Sequence, residues 1–309
     1  MKKIRVSIIG AGNMANEYLK VLSSNKNIEL SGIFSRTFAK AELLKKKYKI
    51  KKNLVSLKKL YKETKSQIVI ATVPGDKILS LCKEMLNFPW VIFIEKPPGI
   101  NFIEYLKLIK LSKLNKKKIY VGMNRRYFSS TLNLQEKINK IKGPRNIIIF
   151  DQQDTNVAKL KGKSLKLIKN WMYANSIHLI DYANFLTRGK LKNIKFIKKN
   201  KSEINCFLHF SSEDNVNYIC RWNKPGPWQV HLSLKNYYFE LSPLEVLKIR
   251  SNFKKKSEVF NISRDDRKFK TGLKLQIDDL INVCLGKKNN LPDLGELYKT
   301  MHLIKKIYI

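Results

Sequence analysis

The chain has 309 residues, 43% of them hydrophobic, which is enough for a sizeable core and about two domains and excludes a disordered tail. Lys and Arg number 62 against 24 Asp and Glu, a formal charge of +38; the excess is mostly Lys, spread through every segment beside abundant Ile and Asn, so a compositional bias competes with an anionic partner. The four cysteines, at 82, 206, 220 and 284, form no C-x-x-C pair, so they read as single reduced thiols and no metal site or redox dithiol is expected.

The amino-terminal apolar run is interrupted by Gly and Asn and closed by no cleavage site, so it reads as a strand and not a signal peptide. Strands are predicted at 3–9, 28–34, 67–73, 90–95 and 118–122, with helices at 13–24, 37–48, 76–87 and 101–114 and a weaker strand and helix within 53–62. That alternation predicts a doubly wound parallel sheet, an α/β domain over 1–122. From 123 to 309 the rhythm changes. Helices at 129–141 and 174–187 accompany strands at 145–152, 192–198, 203–211, 215–222, 227–234 and 236–241, and helices at 272–286 and 293–308 close the chain. Short turns between consecutive strands predict an α+β domain with an open, mostly antiparallel sheet. No apolar stretch approaches the roughly 18 residues that span a bilayer, so a soluble, cytoplasmic protein without a membrane partner is expected.

Gly10-Ala11-Gly12-Asn13-Met14-Ala15 follows the first strand and opens a helix, the context in which G-x-G-x-x-A signals dinucleotide binding. Gly10 allows the tight turn, Gly12 lets backbone approach a pyrophosphate, and Ala15 lets helix pack on strand. The second strand ends in Ser35-Arg36 where an acid usually holds the ribose hydroxyls, while Glu29 sits at its leading end. A hydroxyl and a guanidinium complement a 2′-phosphate, so NADP is preferred over NAD; the alternative is that Arg36 stacks on adenine or faces solvent.

With GAGNMA at 10–15, Glu95-Lys96-Pro97 ending a strand, Gly122-Met123-Asn124-Arg125-Arg126-Tyr127 at the domain junction, and His178-Leu179-Ile180-Asp181, the whole chain resembles the glucose–fructose oxidoreductase, inositol dehydrogenase and rhizopine catabolism family. The resemblance implies a Rossmann domain followed by an open-sheet α/β domain. It makes Lys96 a catalytic residue beside the nicotinamide, and Lys96 at a strand's carboxyl end followed by Pro97 and Pro98 suits that crevice. It also implies a D-x-x-x-H-x-x-D helix in which His178 and Asp181 match but Ala174 replaces the first acid. Asn175, His178 and Asp181 can then line one helix face, His178 serving as proton acceptor, or His178 is a structural histidine bonded to Asp181. Asn124, Arg125, Arg126 and Tyr127 are implied at the cofactor or substrate. The resemblance also implies Thr72, Val73 and Pro74 at the border of the cofactor, although the histidine the family often carries after that turn is absent here.

The implied activity is hydride transfer between NAD(P) and a hydroxyl or carbonyl carbon of a sugar, sugar nucleotide or polyol, in a homodimer or homotetramer joined through the carboxy-terminal sheet. Alternatives are reduction of a non-sugar substrate on the same scaffold and a non-catalytic NAD(P) sensor. Nucleic-acid binding rests on charge alone, without a motif.

Overall fold

Runs such as IRVSII and IELSGIF, rich in Ile, Val and Leu and buried at nearly every position, suit strands covered on both faces. In a computed structural model, which describes residues 3–252, 254 and 256–309, they form such a sheet. Strands β1 (Ile4–Ile9), β2 (Ile28–Phe34), β3 (Lys52–Leu54), β4 (Ile68–Ala71), β5 (Val91–Glu95) and β6 (Ile119–Gly122) are all parallel in the order β3-β2-β1-β4-β5-β6. Helices α1 (Asn13–Ser23), α2 (Phe38–Tyr48), α3 (Leu57–Thr64), α4 (Ile78–Met85) and α5 (Phe102–Leu114) connect them. This is the doubly wound order of dinucleotide-binding domains, in which ligands sit at the carboxyl ends of the strands.

The second unit follows α6 (Ser129–Asn139) with β7 (Asn146–Gln153), short helices α7 (Thr155–Leu160) and α8 (Leu165–Lys169), and α9 (Ile177–Phe185). Strands β8 (Leu191–Lys199), β9 (Glu203–Phe210), β10 (Asn215–Trp222), β11 (Trp228–Leu234), β12 (Tyr237–Leu241), β13 (Leu247–Ser251) and β14 (Glu258–Val259) come next, then helix α10 (Arg264–Lys268). The sheet order is β14-β13-β12-β11-β7-β10-β9-β8, antiparallel except for the parallel pair β7–β10. Alternation decides its faces: Ile147, Ile149, Asp151 and Gln153 of β7 point into the core, whereas Ile148 on the opposite face is 37% exposed.

The chain then returns. Helix α11 (Leu273–Cys284) packs on α1, and the stretch before α12 (Tyr298–Tyr308) runs beside β6, with Val121 N–H donating to Pro292 O (2.9 Å) and Leu294 N–H to Ile119 O (3.1 Å). An edge strand leaves backbone groups needing partners, and this segment supplies them. The two units are therefore Met1–Asn124 with Lys268–Tyr298, and Arg125–Arg267 with Lys299–Ile309, instead of a single cut after 122. For the same reason the helix expected from 293 begins at Tyr298. The helix expected over 174–187 starts with a wide π turn, Met172–Ser176, and becomes α-helical at Ile177. Among the described residues no helix is long and apolar enough to cross a membrane.

Candidate active site

In the first unit, Gly10 has φ +101°, and a Cβ there would lie 2.7 Å from the Thr72 hydroxyl and 3.1 Å from the Thr72 carbonyl oxygen. Thr72 is itself tied to β1, its N–H (2.8 Å) and its hydroxyl (3.1 Å) both donating to Ile9 O. Gly10 is therefore required by the fold. Gly12 differs: its φ is −92° and nothing lies within 4 Å of where its Cβ would be. It caps α1 without a side-chain bond, and no acid stands in the first turn, so the helix keeps its amino-terminal N–H groups and partial positive charge for an anion. Asn13 is exposed and Met14 half-buried at that turn, while Ala15 is fully buried. These features fit a dinucleotide pyrophosphate.

Gly10 N–H donates to Phe34 O (2.8 Å), which brings the tip of β2 beside the glycine loop. There the Ser35 hydroxyl accepts from Thr37 N–H (3.3 Å) and Arg36 is exposed. Glu29, at the other end of β2, pairs with Lys51 at 2.7 Å. Val73 is half-buried and Pro74 exposed after β4.

Lys96 directly follows β5, half-buried. The preceding Glu95 is buried and accepts a short hydrogen bond from the Tyr18 hydroxyl; burial pushes its carboxyl up while that bond opposes the shift. Glu95, which the Glu95-Lys96-Pro97 resemblance implies at the cofactor, bonds α1 and braces the strand end. Downstream, the Asn101 side chain accepts from Glu104 N–H (2.9 Å) and the Glu104 carboxylate accepts from Ile100 N–H (3.3 Å), a capping box that fixes the turn after Lys96. With its amide oriented to satisfy both ends, Gln276 of α11 donates to Tyr18 Oη (3.3 Å) and accepts from Met123 N–H (3.0 Å) and Asn124 N–H (3.2 Å). The Asn124 side chain donates to Thr271 O (3.1 Å).

In the second unit the two arginines of Asn124–Tyr127 take different partners. Arg126 donates through Nε and Nη2 to both oxygens of Asp181, each at 2.7 Å, and Thr300 Oγ1 donates to Asp181 at 2.8 Å. Asp181 is 3% exposed, so this is a buried bidentate pair, and the carboxylate anchors α9 to Arg126 and to α12. Arg125 lies 4.3 Å from the Trp228 ring centroid, and burial lowers its guanidinium to about 10. Tyr127 is buried. His178 lies buried on α9, as does Ala174 in the π turn; Asn175 donates to Gln153 Oε1 at 2.9 Å. Asn175 and Asp181 thus engage different neighbours, sheet and arginine, instead of forming one polar stripe.

Sequence reasoning passed over Asp151 and Gln153. Asp151 is 1% exposed and accepts from Tyr218 Oη (2.6 Å) and from Gln153 Nε2; burial raises its carboxyl. Tyr218 Oη in turn meets Tyr308 Oη at 2.8 Å. The signal was present: polar residues at two successive inward positions of an otherwise Ile-lined strand.

Residues 4–123 match the family model described as an oxidoreductase family with an NAD-binding Rossmann fold. They belong to the Gfo/Idh/MocA oxidoreductase family. Solved structures extend the likeness beyond this Gfo/Idh/MocA domain, as a likeness of fold. A dehydrogenase from Chromobacterium violaceum superposes with a TM-score of 0.85 at 17% identity, over 99% of this chain and 94% of that one. The UDP-N-acetylglucosamine 3-dehydrogenase GnnA from Acidithiobacillus ferrooxidans gives 0.79 at 14%, over 99% and 97%. The WlbA dehydrogenase from Chromobacterium violaceum, in complex with NADH and UDP-GlcNAcA, gives 0.76 at 16%, over 99% and 93%. A search of curated proteins finds no match.

Proposed function

We propose that the protein is an NAD(P)-dependent dehydrogenase or reductase acting on a hydroxyl or carbonyl carbon of a sugar, sugar nucleotide or related polyol. The observation that carries this is the open space at Gly12 ahead of the uncapped amino terminus of α1, within an oxidoreductase-family domain. Gly12, Asn13 and Met14 would hold the pyrophosphate, Ser35 and Arg36 the adenosine end, and Thr72, Val73 and Pro74 the wall beside it. A bound nicotinamide dinucleotide would supply the hydride acceptor or donor. Arg36 without a neighbouring acid supports a preference for NADP.

Lys96 and His178 serve the substrate hydroxyl proton in this reading. The Lys96 ammonium stabilises developing alkoxide charge and His178 takes or returns the proton, while Asp181 holds Arg126 and keeps α9 in place. The substrate class is supported by the sugar nucleotides named for two of the similar structures. The four free thiols suit a reducing, cytoplasmic setting. Ile148, Phe150, Phe207 and Ile219 meet on the open face of β7, β9 and β10, which supports a homodimer or homotetramer joined there.

The test combines binding and turnover. Lys96→Ala and His178→Ala are expected to keep NAD(P)H affinity and lose about 10²–10⁴ in hydride-transfer rate. Arg36→Ala should weaken NADP(H) more than NAD(H). Wild-type turnover of a confirmed substrate by both alanine variants would sink the mechanism and leave a binding role.

A further inference from the structure

Adjacent arginines in this chain differ in one respect. Arg126 has its charge matched by Asp181 in a bidentate pair. Arg125 makes no ion pair with any described residue, and its Nη1 is buried without an acceptor. Asp151 and Glu245 act on it only through space. Asp151 is a poor counter-ion, because its oxygens already accept from Tyr218 and Gln153. A half-buried guanidinium in this position carries a desolvation cost that the Trp228 ring and these through-space charges offset only in part.

Its setting is nonetheless rigid. The guanidinium face stacks on Trp228, whose Nε1 donates to the Gln152 carbonyl, and Pro225 and Pro227 restrict the loop leading into that tryptophan. The Arg125 carbonyl accepts from Tyr182 Oη (3.3 Å), one turn beyond His178 on α9. Stacking occupies the face of the group and leaves its in-plane N–H edges, the geometry that matches the paired oxygens of a carboxylate or phosphoryl group.

We infer that the substrate carries an anionic oxygen group, away from the carbon that exchanges hydride, and that Arg125 on its Trp228 platform binds that group. This rests on the oxidoreductase reading above and narrows its substrates from neutral polyols, sugars and the nucleotides of neutral sugars to those whose sugar itself bears a carboxylate or a phosphomonoester.

The experiment titrates protein saturated with whichever of NADPH and NADH binds tighter, calorimetrically, with probe pairs that differ by one anionic group. The pairs are glucose with glucuronate, glucose with glucose 6-phosphate, and UDP-N-acetylglucosamine with its C6 carboxylate. In at least one pair the anionic member should bind tenfold tighter or more, roughly 10–100-fold for a charge-assisted contact. Arg125→Gln should remove that preference and Arg125→Lys should retain part of it. Separation in the first or third pair identifies a carboxylate, and separation in the second a phosphoryl group. Trp228→Leu provides a second variant, expected to reduce the preference if Arg125→Gln does not fold. Equal affinity within every pair, absence of binding by any probe, or a preference that survives Arg125→Gln overturns the inference. Binding of NADPH and of NADH, read separately from nicotinamide fluorescence, reports on the oxidoreductase reading: failure of both in the wild type removes that reading, whereas intact cofactor binding without anion preference removes only this one.

Discussion

Two glycines in one loop have opposite physical roles, and substitution separates them. Gly12→Val meets no neighbour and demands no unusual φ, so the melting temperature should stay nearly constant while NAD(P)H affinity falls by at least about 100-fold, because the side chain fills space the pyrophosphate requires. Gly10→Ala puts a Cβ 2.7 Å from Thr72 at φ +101°, and the left-handed strain alone costs about 1–2 kcal/mol. A melt lowered by several degrees is expected. Unchanged cofactor binding by Gly12→Val would refute the loop assignment. At Glu95 the prediction concerns pH. The folded carboxyl sits above its ordinary value because burial disfavours its charge, and the Tyr18 bond partly offsets this. Tyr18→Phe removes a bond to the charged form, so the folded pKa rises further and the variant's stability deficit is small below the unfolded carboxyl's pKa and grows as pH climbs through the folded one. Urea melts across a pH series should show a loss that is smallest in acid and grows with rising pH, by about 1–3 kcal/mol; a loss that shrinks as pH rises would contradict this account.

At the scale of elements, periodicity made the parallel sheet and six strands of the second sheet, β7 to β12, readable, and Ile- and Val-rich runs such as VSII and QIVI have one stable use in a doubly wound fold. β13 escaped because its LKIRS alternation is short and charged, and α7 and α8 because five or six residues carry too little period. The π turn before α9 was also illegible, since 3.6-residue spacing assumes a regular helix. The strand end before Lys96 was readable from VIFIE, and the resemblance alone singled out the lysine; the task of Asp181 was not readable, because its partners Arg126 and Thr300 lie 55 and 119 residues away in sequence. That pair carries a prediction for α9. Asp181→Asn withdraws the carboxylate from a buried guanidinium and should cost about 3–5 kcal/mol, whereas the double change Arg126→Met, Asp181→Leu should cost less. Chemical denaturation of both variants checks the order, and a single variant as stable as wild type would reduce the pair to decoration.

Across the whole molecule, a formal charge of +38 acts on any association between copies. Apolar Ile148 and Phe207 favour pairing of the open sheet faces, while two such cations repel. Raising salt shortens the screening length from about 10 Å at 0.1 M to about 3 Å at 1 M, so self-association should strengthen with ionic strength, and Phe207→Lys should weaken it at every salt. Sedimentation equilibrium measures both, and a monomer under all conditions would remove the interface. The return of Lys268–Tyr298 to the dinucleotide-binding unit has a consequence for biosynthesis. Gln276 secures Tyr18, Met123 and Asn124, and Pro292 and Leu294 finish the edge of β6, yet ribosomes make these residues only after all of β7 through β14 has emerged. The part of the chain translated first is therefore completed among the last. During the interval its outer strand presents an open edge, the kind of surface on which a nascent chain recruits chaperones.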